Sequence, residues 1–252
     1  MQLSLGIGIG VPSKSVASGV GLWTPRDIST SLWLDADDQG TITESGGSVS
    51  QWDDKSGNDN HASQNTGAEQ PTTGIRSISG LNAIYFNGVN DHFDITDLAP
   101  NAECYIFAII EADTSSQNCW IGGGSTKIGM WSGNTFGFRW STSTFQVGVN
   151  IGASNPSITL MGRNSSNQIF FRKDGGSDLV AENNTGTPQL DQVGFRFSGQ
   201  GLEGVMGELV VVKGLMGLDD QQRMEGYLVW KWGLQGDLPP THPYKNNPPL
   251  RE

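Results

Sequence analysis

The feature that most constrains the fold is the rhythm of the sequence, in which short apolar runs alternate with turn-forming residues at intervals of roughly 8 to 12 positions. Glycine supplies 35 of the 252 residues, about twice its usual share. Runs of this length with alternating side chains predict strands joined by turns. The predicted strands are LWL at 32–34, CYIFAIIEA at 104–112, FQVGVNI at 145–151, SITLMGR at 157–163, QIFFRKDGG at 168–176, VGFRFS at 193–198 and GELVVVK at 207–213. The sequence therefore predicts an all-β chain, folded either as one large β-sandwich or as two small domains, of which we favour the first.

One segment near the end of the chain is predicted to be a helix, over residues 219–232. Asp219 is a favourable N-cap residue, and Gln222 stands three positions on, as in a capping box. Gly233, followed by two prolines, supplies a stop. The pattern predicts that the helix lies on a sheet and buries Met224, Leu228 and at least one of Trp230 and Trp232.

Composition excludes two classes of partner. The net charge of −11, without any basic run, argues against nucleic-acid binding, which requires clustered Lys and Arg. No apolar stretch is long enough to insert into a membrane.

The two cysteines, Cys104 and Cys119, are too few for a disulfide scaffold. They are predicted to be buried thiols, with a single disulfide as the alternative.

The ends of the chain differ from its middle. Residues 1–29 form a predicted anchoring arm whose apolar side chains alternate with Gly or small polar residues: Leu3, Leu5, Ile7, Ile9 and Val11. The arm lacks the positive segment of a signal peptide, and we expect it to pair with another protein. The domain proper is predicted over 30–237, and 238–252 is a Pro-rich tail expected to wrap the surface.

Three elements carry a resemblance to a known class of domain. The first is a WxDxSGNxNxA pattern formed by Trp52, Asp54, Ser56, Gly57, Asn58, Asn60 and Ala62. The second is Phe86 with Gly88, and the third is EGYLVWKWGL followed by LPPTHPYK. Together they resemble the concanavalin A-like or laminin G-like jelly-roll domains of phage and bacterial surface proteins. The resemblance spans about residues 30–245, with 113–156 unmatched, and implies a two-sheet antiparallel jelly roll with one short C-terminal helix.

Two acidic loops are candidates for a calcium site. Asp35 and Asp37 begin a series of oxygen ligands like that of a calcium loop, although the Glu required at its end is missing. Asp54 and Asn58 lie in a second loop rich in hard oxygen ligands. Asx residues are also typical of turns, so the alternative is that both loops are structural and that Asp54 binds backbone amides.

The unmatched middle of the chain holds a candidate carbohydrate site. Trp131, Asn134, Arg139 and Trp140 combine flat apolar rings with amide and guanidinium donors, as sugar binding requires. Trp131 is the ring that we expect to be exposed. The alternative is that these tryptophans are sandwich core residues.

The residues indicate no hydrolytic machinery, because the GxSxG, P-loop, HExxH and ExDxxE patterns are all missing. The leading prediction is a non-enzymatic phage virion protein, in the capsid decoration, head fibre or tail. It would be made in the host cytoplasm, attached to other virion proteins by its arm and assembled as a homo-oligomer. The alternative is a carbohydrate-binding module or host-glycan adhesin, and a polysaccharide-degrading enzyme is the third hypothesis.

Overall fold

The structure, a computed structural model, describes residues 21–100, 103–113, 118–124, 126–132, 135–140, 143–150, 153–195 and 200–251. Within these ranges the chain forms seventeen strands and one α-helix, so the all-β prediction is confirmed. In chain order they are β1 (Leu32–Asp35), β2 (Ile42–Ser45), β3 (Ser48–Trp52), β4 (Ala62–Ser63), β5 (Thr72–Ile78), β6 (Leu81–Asn87), β7 (Phe93–Asp94), β8 (Cys104–Ala112), β9 (Cys119–Gly123), β10 (Thr126–Ser132), β11 (Thr135–Trp140), β12 (Ser143–Asn150), β13 (Ser157–Arg163), β14 (Gln168–Lys173), β15 (Leu179–Asn183), β16 (Gln192–Val193), β17 (Glu203–Lys213) and α1 (Leu218–Lys231).

The strands pair antiparallel throughout and divide into two layers. The first layer runs β5-β6-β17-β8-β13-β14-β15, with β1 sharing one edge of β17 with β6. The second layer runs β2-β3-β4-β7-β16-β9-β10-β11-β12. A pairing of Ser48 with Thr72 joins β3 to β5, so the layers meet at one corner. The main core lies between them and draws buried side chains from both.

The register of the second layer separates its two faces. Apolar residues from neighbouring strands point into the core, namely Ile42, Trp52, Ala62, Phe93, Val193, Ile121, Ile128 and Phe138. One position along each strand, the outer face carries the polar residues Thr43, Gln51, Ser63, Asp94, Gln192, Lys127 and Arg139. Because strand side chains alternate, a single register fixes both rows.

The helix covers the outer face of the first layer. Met224, Leu228 and Trp232 are fully buried and Trp230 is half-buried, so the predicted apolar face is confirmed. The helix rests on a second apolar cluster whose sheet side includes Tyr105, Phe107, Ile109, Leu160, Phe170 and Val210. The layers therefore stack as sheet, sheet and helix.

The start of the helix differs from its prediction. It begins at Leu218, the N-cap residue is Gly217 and no side chain caps the first turn, so Asp219 lies inside the helix and the capping box is wrong. Acidic side chains in the first turn still favour the helix through its dipole. The end is as predicted, because Gly233 adopts φ +71°, a conformation open to glycine.

Glu208 of β17 is the polar centre beneath the helix. Its fully buried carboxylate accepts four hydrogen bonds, from Trp33 Nε1 (2.6 Å), the Tyr227 hydroxyl (3.0 Å), Trp232 Nε1 (2.8 Å) and Lys231 Nζ (2.8 Å). Burial raises the pKa of Glu208, and the Lys231 ammonium opposes that rise. This arrangement, hereafter the Glu208 node, fixes the helix against β1 and β17.

Both described ends of the chain pack on the body. Trp23 is buried, and its backbone N–H donates to the Pro249 carbonyl at 3.1 Å. Leu238 and His242 of the tail are buried as well, and His242 Nε2 lies 3.1 Å from Glu225 Oε2. The packed body therefore extends beyond 30–237 on both sides. Leu3, Leu5, Ile7, Ile9 and Val11 of the predicted arm lie outside the described residues.

Candidate functional site

In the first predicted calcium loop, Asp35 forms ion pairs with two lysines. Asp35 Oδ2 accepts from Lys55 Nζ at 2.7 Å, and Asp35 Oδ1 accepts from Lys231 Nζ. The backbone N–H of Asp37 donates a hydrogen bond to Asp35 Oδ1 at 3.2 Å. Since both Asp35 oxygens already face ammonium groups, its assignment as a calcium ligand is corrected to that of a buried ion-pair partner.

The second predicted calcium loop is a structural staple. Asp54 accepts from the backbone N–H groups of Trp33 (2.8 Å), Ser56 (2.9 Å) and Asn60 (3.1 Å). The Asn58 amide donates to the Thr30 carbonyl at 2.8 Å. These bonds join the loop after β3 to the start of β1, which is the structural alternative stated above. Across the described parts of the chain, no group of three or more His, Cys, Asp or Glu side chains is placed to hold a metal ion.

The predicted carbohydrate residues are not gathered into one exposed site. Trp140 is fully buried, and its Nε1 donates to the Gly186 carbonyl at 2.8 Å, so its ligand role is corrected to a core role. Arg139 is half-buried in the outer row of the second layer. Trp131 belongs to β10, but its side chain, like Asn134, lies outside what the structure describes. The predicted site therefore stays a prediction for those two residues.

The two cysteines are buried, and neither forms a disulfide. Burial raises the pKa of the Cys104 thiol to about 12, which keeps it protonated and unreactive at neutral pH.

A groove between two hairpins offers a different candidate site, which we call the hairpin groove. It consists of two adjoining cavities of about 330 Å³ and about 270 Å³ that share Gln39, Gly74 and Asn82. The β2–β3 hairpin forms one wall and the β5–β6 hairpin the other. Further lining residues are Ile42, Glu44, Gly47, Thr73, Ile75, Arg76, Ser77 and Gly80. The larger cavity lies at the lower end of the range of ligand-binding pockets, which begins at about 300 Å³, and the smaller one lies just below that range.

A bulge in β5 shapes one wall. The pairing of β5 with β6 shifts register between Thr72 and Arg76, so the intervening residues leave the ladder. The Asn82 side chain holds them, because its Oδ1 accepts from the Gly74 N–H (3.2 Å) and its Nδ2 donates to the Ala36 carbonyl (2.7 Å). Bulges redirect side chains in this way. Ile75 is consequently 59% exposed at the groove.

A tight turn shapes the other wall. Gly46 and Gly47 connect β2 to β3 with φ +61° and +90°, as a two-residue hairpin turn requires. The Gly47 N–H donates to Glu44 Oε2 at 2.6 Å, which fixes the direction of that carboxylate. The Gly47 carbonyl accepts from the Thr73 N–H at 2.8 Å, so the turn is anchored to the bulge opposite.

Several polar groups of the groove are not used by the fold. Gln39 and Ser77 are exposed, and neither side chain has a hydrogen-bond partner in the described part of the chain. Sequence reasoning missed both. In the sequence, Gly46 followed by Gly47 indicates the turn between β2 and β3. No sequence pattern indicates that the β5–β6 hairpin lies opposite that turn.

Comparisons with solved structures show the fold. Domain 4 of AbnA, a GH43 extracellular arabinanase from Geobacillus stearothermophilus, solved in complex with arabinotriose, matches with TM-score 0.56 and 12% identity, covering 76% of this chain and 96% of that one. The binding domain of Paraclostridial Mosquitocidal Protein 1 matches with TM-score 0.52 and 10% identity, over 79% of this chain and 52% of that one. Trypanosoma rangeli sialidase matches with TM-score 0.52 and 12% identity, over 81% of this chain and 33% of that one.

At these identities the matches establish the class of fold, a β-sandwich, and nothing finer. This chain spans about half of the mosquitocidal binding domain and a third of the sialidase. No known protein family and no curated protein matches the sequence. No helix in the described ranges is long and apolar enough to cross a membrane.

Proposed function

We propose that this chain is a non-enzymatic glycan-binding protein and that the hairpin groove is its glycan site. The observation that carries the proposal is a groove in which an exposed amide and an exposed hydroxyl have no partner among the described residues, beside an exposed carboxylate and an exposed apolar residue. Sugar hydroxyls need donors and acceptors of this kind, and the apolar face of a sugar ring needs a contact such as Ile75. The structural similarity to an arabinanase domain solved with arabinotriose supports the same class of ligand.

The charged groups of the groove favour binding over hydrolysis. Glycosidases that use two carboxylates hold them about 5 to 9.5 Å apart across the scissile bond. Glu44 is the one carboxylate among the described residues that line the groove. One carboxylate can accept hydrogen bonds from a sugar, but it cannot serve as both acid and base.

Glycan binding is tested with an oligosaccharide array, followed by calorimetry with the best ligand and with arabinotriose. Gln39→Ala and Ser77→Ala each remove one uncommitted hydrogen-bonding group, so we expect each to weaken binding by about tenfold. The matched control is Asn65→Ala, which removes an exposed amide outside the groove. Failure of the wild-type protein to bind any glycan at millimolar concentration would refute the proposal.

The virion role is a further proposal, supported by the alternating apolar pattern of residues 1–29 and by the resemblance to concanavalin A-like jelly rolls. The chain would display its groove on a phage particle and attach to other virion proteins through the arm. Deleting residues 1–20 should abolish attachment to the particle while the domain keeps its melting temperature, as measured by co-sedimentation and thermal unfolding. Attachment that survives the deletion would contradict the role of the arm.

A further inference from the structure

We infer that the hairpin groove selects neutral oligosaccharides over those carrying carboxylates, such as uronic or sialic acids. This inference rests on the proposed glycan-binding function and goes beyond it, because it specifies the chemical class of the ligand. It follows from the charges that the two hairpins place around the groove.

The first wall carries an uncompensated negative charge. Glu44 is exposed, and one of its oxygens accepts from the Gly47 N–H at 2.6 Å. In the described part of the chain no Lys, Arg or His forms an ion pair with it. The turn holds the carboxylate in place, so it cannot swing away from an approaching anion without losing that hydrogen bond.

Among the described residues that line the groove, Arg76 on the second wall is the one cation, and its charge is already balanced. Arg76 Nη1 lies 2.5 Å from Asp113 Oδ2, and Nη2 lies 2.9 Å from Glu111 Oε1. The hydrogen bond and charge of Asp113 raise the pKa of Arg76, as does the charge of Glu111. The guanidinium also stacks over the Tyr85 ring, at 5.7 Å from its centroid. Two of the five N–H donors of the guanidinium are therefore used by carboxylates, and two negative charges lie against its one positive charge.

Three carboxylates thus stand against one guanidinium around the groove. A ligand carboxylate would have to compete with Asp113 and Glu111 for the charge of Arg76 while facing Glu44. Two like charges about 4 Å apart near a protein surface repel each other by more than the thermal energy. A neutral sugar meets no such penalty, because hydroxyls can donate to Glu44 and accept from Gln39 or Ser77.

The test compares oligosaccharides that differ only in charge. We would measure calorimetric affinities for galactose oligomers and for galacturonic acid oligomers of equal length, and for the corresponding glucose and glucuronic acid pair. For the wild-type protein the neutral member should bind at least about tenfold more tightly. Raising the salt from about 0.1 M to about 1 M shortens the screening length from about 10 Å to about 3 Å and should shrink that ratio.

Charge variants identify which groups cause the preference. Glu44→Gln keeps an oxygen for the Gly47 N–H and removes the charge, and Asp113→Asn weakens the neutralisation of Arg76. Each should lower the neutral-to-anionic ratio by about threefold or more. The control is Asp237→Asn, an exposed aspartate outside the groove that changes the net charge of the protein by the same amount and should leave the ratio unchanged.

The outcomes separate the two proposals. Equal affinity for both members of a pair, or a ratio that Asp237→Asn alters as much as Glu44→Gln does, would overturn the selectivity while leaving glycan binding in place. If the wild type and all variants fold, by their melting temperatures, and bind neither member, glycan binding at the groove fails and the selectivity fails with it.

Discussion

The Glu208 node and the hairpin groove use polar side chains in opposite ways. In the node, one carboxylate is fully buried and satisfied by four donors, one from β1 and three from the helix and its C-cap residue. In the groove, Gln39 and Ser77 are exposed, and their side chains have no hydrogen-bond partner among the residues that the structure describes. A buried polar group must be satisfied by the protein because water cannot reach it. The node therefore maintains the scaffold, whereas the groove retains hydrogen-bonding capacity for a ligand.

The largest expected effect comes from breaking the node. Glu208→Ala leaves two indole N–H groups and a hydroxyl without this acceptor and removes one of the two carboxylates that Lys231 contacts, so we expect the free energy of unfolding to fall by about 3–5 kcal/mol. Urea denaturation measures this loss. Asp237→Ala, which removes an exposed carboxylate, should cost less than about 0.5 kcal/mol. A loss of under about 1 kcal/mol for Glu208→Ala would show that the node is not needed for stability.

Asp91 tests what happens when a buried carboxylate has fewer donors. It accepts a hydrogen bond from the Asn87 N–H at 3.0 Å, and burial raises its pKa from 3.8 to about 6. Because folding raises the pKa of Asp91, the contribution of its protonated carboxyl to the free energy of unfolding is full below about pH 4. That contribution is lost as the pH rises through about 6.

At neutral pH, ionised Asp91 should therefore lower the free energy of unfolding by up to about 3 kcal/mol. Asp91→Asn cannot ionise, so its stability relative to wild type should increase between pH 4 and pH 7. Denaturation at a series of pH values measures the difference, and a difference that does not change with pH would contradict the raised pKa.

Removing the hydrogen bonds of Asp54 should give a smaller loss of the free energy of unfolding, because the loop that holds Asp54 lies closer to water. Asp54→Ala removes the acceptor of three backbone N–H groups, and we expect a loss of about 2 kcal/mol. The neighbouring Asp53→Ala, at a half-exposed position, should cost less than about 1 kcal/mol. A chelator should leave the wild-type melting temperature unchanged, whereas a clear drop would restore the calcium prediction for Asp54 and Asn58.

The groove should give the smallest effect on stability. Gln39→Ala and Ser77→Ala remove groups that the fold does not use, so the free energy of unfolding should change by less than about 0.5 kcal/mol. The same variants are expected to weaken glycan binding about tenfold. A large loss of stability in either variant would mean that the groove is structural, and the contrast with the node would disappear.

The strands with dense apolar runs were predictable from sequence. β8 and β13 occupy the predicted residues 104–112 and 157–163, because a strand buried on both faces is apolar at nearly every position. In the predicted strand at 193–198, β16 ends at Val193 and the next two residues lie outside any strand, while residues 196–198 lie outside the described part of the chain. The predicted helix was displaced by one residue at its start, because Gly217 can occupy the N-cap position without a side-chain hydrogen bond.

The candidate site was much harder to predict. Trp140 has the residue type of a sugar-binding platform, yet it lies in the core, because a ring of its size fits either place and only the neighbouring layer decides. The groove depends on the pairing of Ser48 with Thr72, which brings two hairpins together from different parts of the chain. Pairing of that range leaves no local pattern in the sequence.

Three properties can be predicted from the amino-acid sequence alone: the all-β class, the alternation that separates apolar from polar faces, and the position of one helix near the end. Those properties follow from local residue spacing and turn chemistry, which act over a few residues. Three others become visible only in the folded protein: Asp35 and Asp54 bind distant parts of the scaffold, Trp140 is buried, and Glu44 and Arg76 line a common groove. Burial and charge pairing depend on neighbours distant along the chain, so they are fixed only when the two layers and the helix pack.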